Sequence, residues 1–189
     1  PNREIAIKLL EEEDHVIRCF AAKTLAGSES LHTKLALDEH HSVRIIAAEN
    51  SNDEKLISSL IDDNHSAVRK AAISTASRKE MKLNEDVLRN ALKSGDSSLR
   101  SLIGSMAVKL GGDILEIACG DSDPKVRKSI ADSLREYVDV VDSRIENIAT
   151  ISPEIIVRWL RMRYDADSNS LRWSMIEDTK INQRTRSKL

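Results

Sequence analysis

Aromatic side chains are almost missing from this chain: one Phe, two Tyr and two Trp make up 3% of its 189 residues. A core without rings must be filled by Leu, Ile, Val and Ala, which pack helix against helix at close range, with Ala letting neighbouring backbones approach. Proline and glycine are also scarce, at three and six residues. With 40% hydrophobic and 32% charged residues, that balance suits amphipathic helices and argues against disorder. No hydrophobic run approaches the roughly 20 residues of a membrane span. No charged, apolar and small-residue signal segment opens the chain,. An intracellular, cytoplasmic protein with no membrane partner is the expectation.

What is abundant is repetition. An apolar residue followed by Arg returns at Ile17-Arg18, Val43-Arg44, Val68-Arg69, Leu99-Arg100, Val126-Arg127 and Val157-Arg158, with Arg-to-Arg steps of 26, 25, 31, 27 and 31 residues. Self-similarity at such a period signals stacked supersecondary units, each burying its apolar face mainly against its neighbours. Stacked units advance roughly 10 Å per step. Cys19 and Cys119, about four units apart, are therefore beyond disulfide reach and expected to be small buried thiols.

Within a unit the spacing predicts helix, turn, helix. Leu31, Leu35 and Leu37 precede a polar turn at Asp38 to Ser42, and Val43, Ile46 and Ala47 restart helical spacing,. Leu56, Ile57, Leu60 and Ile61, the turn Asp62 to Ser66, then Val68, Ala71, Ala72 and Thr75 repeat the plan. Asp14, Asp38, Asp63, Asp96, Asp121 and Asp123 precede second helices, where a carboxylate can cap free N–H groups,. Pro124 and Pro153 fall where a helix start tolerates a missing N–H,. The predicted helices cover about 2–12, 15–26, 28–37, 41–50, 53–61, 66–79, 84–93, 97–110, 112–119, 124–137, 140–149, 153–164 and 168–179,.

The run Asp121-Ser122-Asp123-Pro124-Lys125-Val126-Arg127-Lys128-Ser129-Ile130-Ala131 resembles the second-helix signature of HEAT repeats, and the same register covers about 160 residues,. Residues 38–63, from Val43-Arg44 through Ala47-Ala48-Glu49-Asn50 to Leu56, Leu60 and Asp63, also resemble the leucine-rich repeat variant. The resemblance implies an all-α, right-handed, armadillo-like α-solenoid of about six helical hairpins plus a C-terminal capping helix. Residues 1–179 would form one HEAT-like domain and residues 180–189 a basic, flexible tail, too polar for a packed helix face.

The family pattern further implies that Arg18, Arg44, Arg69, Arg100, Arg127 and Arg158 form a structural ladder with turn acids such as Asp38, Asp63 and Asp121. Each Arg follows by six residues Glu12, Asp38, Asp63, Ser94, Asp121 or Ser152. A guanidinium can bridge such a carboxylate to a neighbouring turn in bidentate fashion. The fourth and sixth units have Ser at that position, so Arg100 and Arg158 are expected to be freer for other work.

Reaction centres are not evident. His15, His40, His41 and His65 fall in successive turns on one edge, but adjacent turns lie about a helix diameter apart while metal ligands sit about 2 Å from the ion. They read as polar turn residues, with no metal and no cofactor expected. No Gly-x-Ser-x-Gly context occurs,. Gly111-Gly112 reads as a helix stop and turn,.

The C-terminal unit breaks the pattern. Trp159, Tyr164 and Trp173 are three of the five aromatics, and Arg158, Arg161, Arg163 and Arg172 accompany them. Residues 151–189 hold eight Lys/Arg against five Asp/Glu, a balance of +3 that leaves −5 for residues 1–150 within the total of −2. Trp159 and Trp173 could plug the open end of the array. Alternatively, with Arg184 and Arg186, they could stack bases and neutralise phosphates.

The leading expectation is a non-catalytic scaffold for a protein partner, of undetermined oligomeric state, with no catalytic residue. The alternative is nucleic-acid binding through Arg158, Trp159, Arg161, Arg163, Arg172, Trp173, Arg184 and Arg186. That reading extends to a relationship with HEAT-like DNA alkylpurine glycosylases, for which Asp165 would supply the acid. The −5 balance of residues 1–150 opposes a duplex-binding face.

Overall fold

The computed structural model describes residues 2–161 and 163–189, apart from the side chains of residues 94 and 137. Among the described residues there are fourteen helices and no strand. None of these helices is long and apolar enough to cross a membrane. The chain divides into two compact units, Pro1–Leu99 and Arg100–Leu189, where the sequence reads as one repeat domain.

The first unit contains α1 (Arg3–Leu9), α2 (His15–Thr24), α3 (Glu29–Ala36), α4 (His41–Asn50), α5 (Glu54–Ile61), α6 (Ser66–Arg78) and α7 (Glu85–Ser94), and the division falls within α8 (Ser97–Leu110). α2 packs on α4 and α4 on α6, while α3 meets α5 and α5 meets α7. The faces of α2, α4 and α6 bury small residues completely: Ala21 and Ala22, Ala47 and Ala48, Ala72 and Ala76. Larger aliphatics, Ile57, Ile61 and Ile73, fill the space between rows, each contributing about 1.5–3 kcal/mol of transfer free energy. The near-absence of rings is thus matched by close backbone approach.

Helix starts follow the local chemistry. Asp14 caps α2 by accepting the Val16 N–H at 2.8 Å, and Asp96 accepts the N–H groups of Ser98 and Leu99 at 2.9 and 3.0 Å. Asp38 and Asp63, expected as caps of α4 and α6, do not cap them. Their Oδ1 atoms accept the backbone N–H of His40 and His65, and the imidazole Nδ1 of each histidine accepts the N–H two residues on. The carboxylates are diverted because arginines claim them.

The second unit holds α9 (Gly112–Cys119), α10 (Pro124–Tyr137), α11 (Ser143–Ile151), α12 (Pro153–Leu160), α13 (Ala166–Glu177) and α14 (Gln183–Arg186). Pro124 and Pro153 open α10 and α12 as expected. Gly111 and Gly112, at φ of 69° and 52°, make the turn from α8 to α9. α12 packs on α10, α11, α13 and α14.

Two sequence expectations are corrected here. α12 ends at Leu160, not 164, because the Leu160 carbonyl accepts the Arg163 N–H at 3.0 Å and an Arg172 guanidinium N–H at 2.8 Å, which closes the helix. Residues 180–189 are not a bare tail: Asn182 caps α14 through the Thr185 N–H, and Ile181 and Thr185 are buried.

Candidate functional site

The arginines fall into two populations. In the first, Arg18 and Arg44 have every donor occupied. Arg18 donates from Nε and Nη2 to the two carboxylate oxygens of Asp38 at 2.9 and 3.0 Å, from Nη1 to the carbonyls of Glu12 and Glu13, and again from Nη2 to Glu39. Arg44 repeats the arrangement on Asp63 at 2.7 and 2.9 Å, the Asp38 and Glu39 carbonyls, and Asn64. A guanidinium has five N–H donors, so neither has one left for a ligand. Both are buried, at 6% and 8% exposure.

The partners therefore differ from the sequence expectation in one respect. An Arg takes the backbone carbonyl of the turn residue six positions earlier, and the carboxylate of the following turn. Asp38 thereby serves two units: its side chain holds Arg18 and its carbonyl holds Arg44. Burial pushes the Asp38 and Asp63 carboxyls up, but hydrogen bonds from Arg18 or Arg44 and from a histidine N–H outweigh it and hold both below the ordinary range,. The hydrogen bond to Asp38 or Asp63 raises the partner guanidinium in turn.

Farther along, the ladder loosens. Arg69 donates to the Asp63 and Asn64 carbonyls but meets Asp96 only at 3.6 Å. In the second unit Arg100 donates from Nε to Asp121 at 2.7 Å, so the expectation that it is freer is corrected. The side chain of Ser94, on which that expectation rested, lies outside the described residues. Arg127 donates to the Asp121 carbonyl and pairs through Nε with Glu154 at 2.6 Å.

The second population gathers on one cavity of the second unit, with a volume of about 510 Å³. α10 supplies Arg127 and Lys128. α12 and its C-cap supply Glu154, Arg158 and Arg161 at the i, i+4, i+7 spacing of one helix face, and α14 with its following turn supplies Arg184 and Lys188,. Six cations thus surround a single acid. Lys128, Arg158, Arg161, Arg184 and Lys188 are exposed, and their side chains have no hydrogen-bond or ion-pair partner among the described residues.

Of the eight candidate binding residues, Arg158, Arg161 and Arg184 line this cavity. The others do not. Trp159 is fully buried, and the Arg163 guanidinium lies 4.8 Å from its ring centroid. Arg163 also donates to Ser168 at 2.9 Å. Arg172 donates to the carbonyls of Leu160 and Arg163, and Arg186 to that of Ile176. Trp173 is 65% exposed but does not line the cavity. Asp165 caps α13 and accepts the Ser168 N–H and hydroxyl at 2.8 Å each; these bonds hold its carboxyl below the usual range.

Sequence reasoning missed the place of Arg127, Lys128 and Lys188 in this group. The available signal was that Arg127 and Arg158 hold equivalent positions on second helices, which α10 and α12 bring side by side. Also unforeseen is a continuous histidine stack on the turn edge of the first unit. Ring centroids are 3.8 Å apart for His15 and His40, 4.5 Å for His40 and His41, and 3.7 Å for His41 and His65. Among the described residues no group of three or more His, Cys, Asp or Glu is arranged to hold a metal ion. Burial pushes the Cys119 thiol up to about 12, which leaves it protonated and unreactive at neutral pH,.

Compared with family models, with curated proteins and with solved structures, the chain finds no match in any of the three.

Proposed function

We propose that this chain is a non-catalytic binding scaffold, a HEAT-like α-solenoid whose second unit takes an acidic, extended segment of a protein partner in the groove between α10, α12 and α14. The observation that carries the reading is the set of five unpaired cations on one cavity: Lys128, Arg158, Arg161, Arg184 and Lys188. Elsewhere Arg18 and Arg44 are fully neutralised by turn acids and carbonyls. Uncompensated cations in a concavity repel one another and concentrate a polyanion. Their local field exceeds what the net charge of −2 suggests.

The choice of anion rests on two details. Glu154 already sits on Arg127 at 2.6 Å, an attached example of a carboxylate bound at this wall. Among the described residues no aromatic side chain lines the cavity, Trp159 being buried, so an unstacked base finds no platform among them,. An acidic peptide needs only the charges, placed along one helix face and its neighbours.

Fluorescence anisotropy of the full chain with a labelled Asp/Glu-rich peptide tests the reading, against single-stranded DNA of equal length and charge. Peptide binding should weaken about tenfold on going from about 50 to about 200 mM salt, and should be lost in the Arg158→Ala/Arg161→Ala double variant with helix content unchanged. Absence of peptide binding at low salt, or preference for DNA, overturns it.

A further inference from the structure

The histidine stack lies outside the groove and is not used by the binding reading. It joins three successive inter-helix turns of the first unit: His15 opens α2, His40 and His41 cap and open α4, and His65 caps α6. The ring planes are inclined by 23°, 29° and 10° along the series, so the four imidazoles form a nearly continuous column.

Two of the four rings also hold a helix start. Nδ1 of His40 accepts the Ser42 N–H and Nδ1 of His65 accepts the Ala67 N–H, each at 3.3 Å. A ring nitrogen that accepts a hydrogen bond carries no proton, so both caps require a neutral imidazole with its hydrogen on Nε2. Protonation turns each acceptor into a donor pointed at another donor.

The surrounding charges are unevenly disposed. Asp14 lies 3.9 Å from His15, and the Asp38 and Asp63 carboxylates accept the backbone N–H of His40 and His65 at 2.8 Å while held by Arg18 and Arg44. Arg69 on α6 is directed to Asp96. His41 sits between His40 and His65. Burial, then the charges of His65, His40, Arg44 and His15, keep its imidazole below the ordinary 6.5.

We propose that the column is a pH-sensitive joint: neutral imidazoles brace three turns at and above neutral pH, and acid opens that edge by removing two helix caps and setting like charges face to face. The direction follows from linkage. In the unfolded chain His41 titrates near 6.5, whereas in the folded chain it releases its proton at lower pH. Below about 6.5 the unfolded state binds more protons, so stability falls as pH drops through that window and levels off beneath the folded value.

The test is an NMR titration of all five histidines in the full chain, with amide exchange read at about pH 7.5 and about pH 5.5. His41 should titrate below the ordinary 6.5. Exchange at the Ser42 and Ala67 amides, corrected for the intrinsic rate, should quicken about fivefold per lost cap. The Val16 amide, capped by the Asp14 carboxylate, should not respond. In a His40→Asn/His65→Asn variant, whose amide oxygens cap without titrating, the response should vanish while protection persists. A His41 midpoint at or above 6.5, or acid-insensitive protection at Ser42 and Ala67, overturns the proposal.

Discussion

Arg44 grips Asp63 through two parallel hydrogen bonds, Nε to Oδ2 at 2.7 Å and Nη2 to Oδ1 at 2.9 Å, with both side chains about nine-tenths buried. The same guanidinium holds two carbonyls of the preceding turn, so one side chain fastens three pieces of backbone. Replacing it strands a buried carboxylate and two acceptors. Arg44→Ala should lower the unfolding free energy by about 3 kcal/mol. Arg44→Lys should recover only a part, because an ammonium cannot form the planar fork. Urea unfolding of the three proteins measures the order.

The acid side of the stability profile should depend on turn carboxylates. The hydrogen bond from Arg144 holds the Asp142 carboxyl at about 2, and Asp38 and Asp63 are held low by Arg18 and Arg44 against the effect of burial. A carboxyl whose folded value is depressed contributes fully above its unfolded value of about 3.9, and that contribution is lost as pH falls through the folded value. Melting temperature should therefore drop between about pH 4 and pH 2, and the drop should be shallower in Asp142→Asn. An unchanged acid limb in that variant would count against the Arg144 pairing.

Trp159 and Trp173 should behave oppositely. Trp159 is fully buried with Arg163 over its face, whereas Trp173 is 65% exposed. Trp159→Ala should cost about 3–5 kcal/mol through the cavity it leaves. Trp173→Ala should stay within about 0.5 kcal/mol. Thermal melts of the two variants, side by side, decide whether the pair acts as one aromatic site.

Gly111 joins α8 to α9 at φ 69° and ψ −156°, a region essentially closed to residues with a Cβ,. No atom lies within 4 Å of where that Cβ would be, so the cost of Gly111→Ala is conformational and not steric crowding. It should be about 1–3 kcal/mol, seen as a lower denaturant midpoint with unchanged slope.

Helix positions were legible because apolar spacing and caps are local. The expected ranges 41–50, 97–110, 112–119 and 124–137 coincide with α4, α8, α9 and α10. The recurring arginines were legible as a set, but their partners were mis-registered. Spacing within a unit pairs an Arg with its own turn, whereas the carboxylate comes from the next one. That is why Ser94 suggested a freer Arg100, when Asp121 holds it. α14 was hidden because only Ile181 and Thr185 of its short, polar stretch are buried. The groove was hidden because it forms where three helices converge, and the imidazole column because stacking depends on ring orientation as much as on position.

Length variation within the ladder is concentrated on one side. From each ladder acid to the next Arg the chain counts six residues at Asp38, Asp63 and Asp121 and four at Asp96 and Glu154. From an Arg to the acid it meets, the count ranges from 19 to 27. The two longer stretches contain the connections after α6 and after α10. Residues added there leave every arginine joint in register, whereas one residue inserted between Asp63 and Arg69 shifts the guanidinium off its carbonyls. Tolerance to insertion, by evolution or by a protein engineer grafting a loop, is thus written into which segment of the unit carries the fastening.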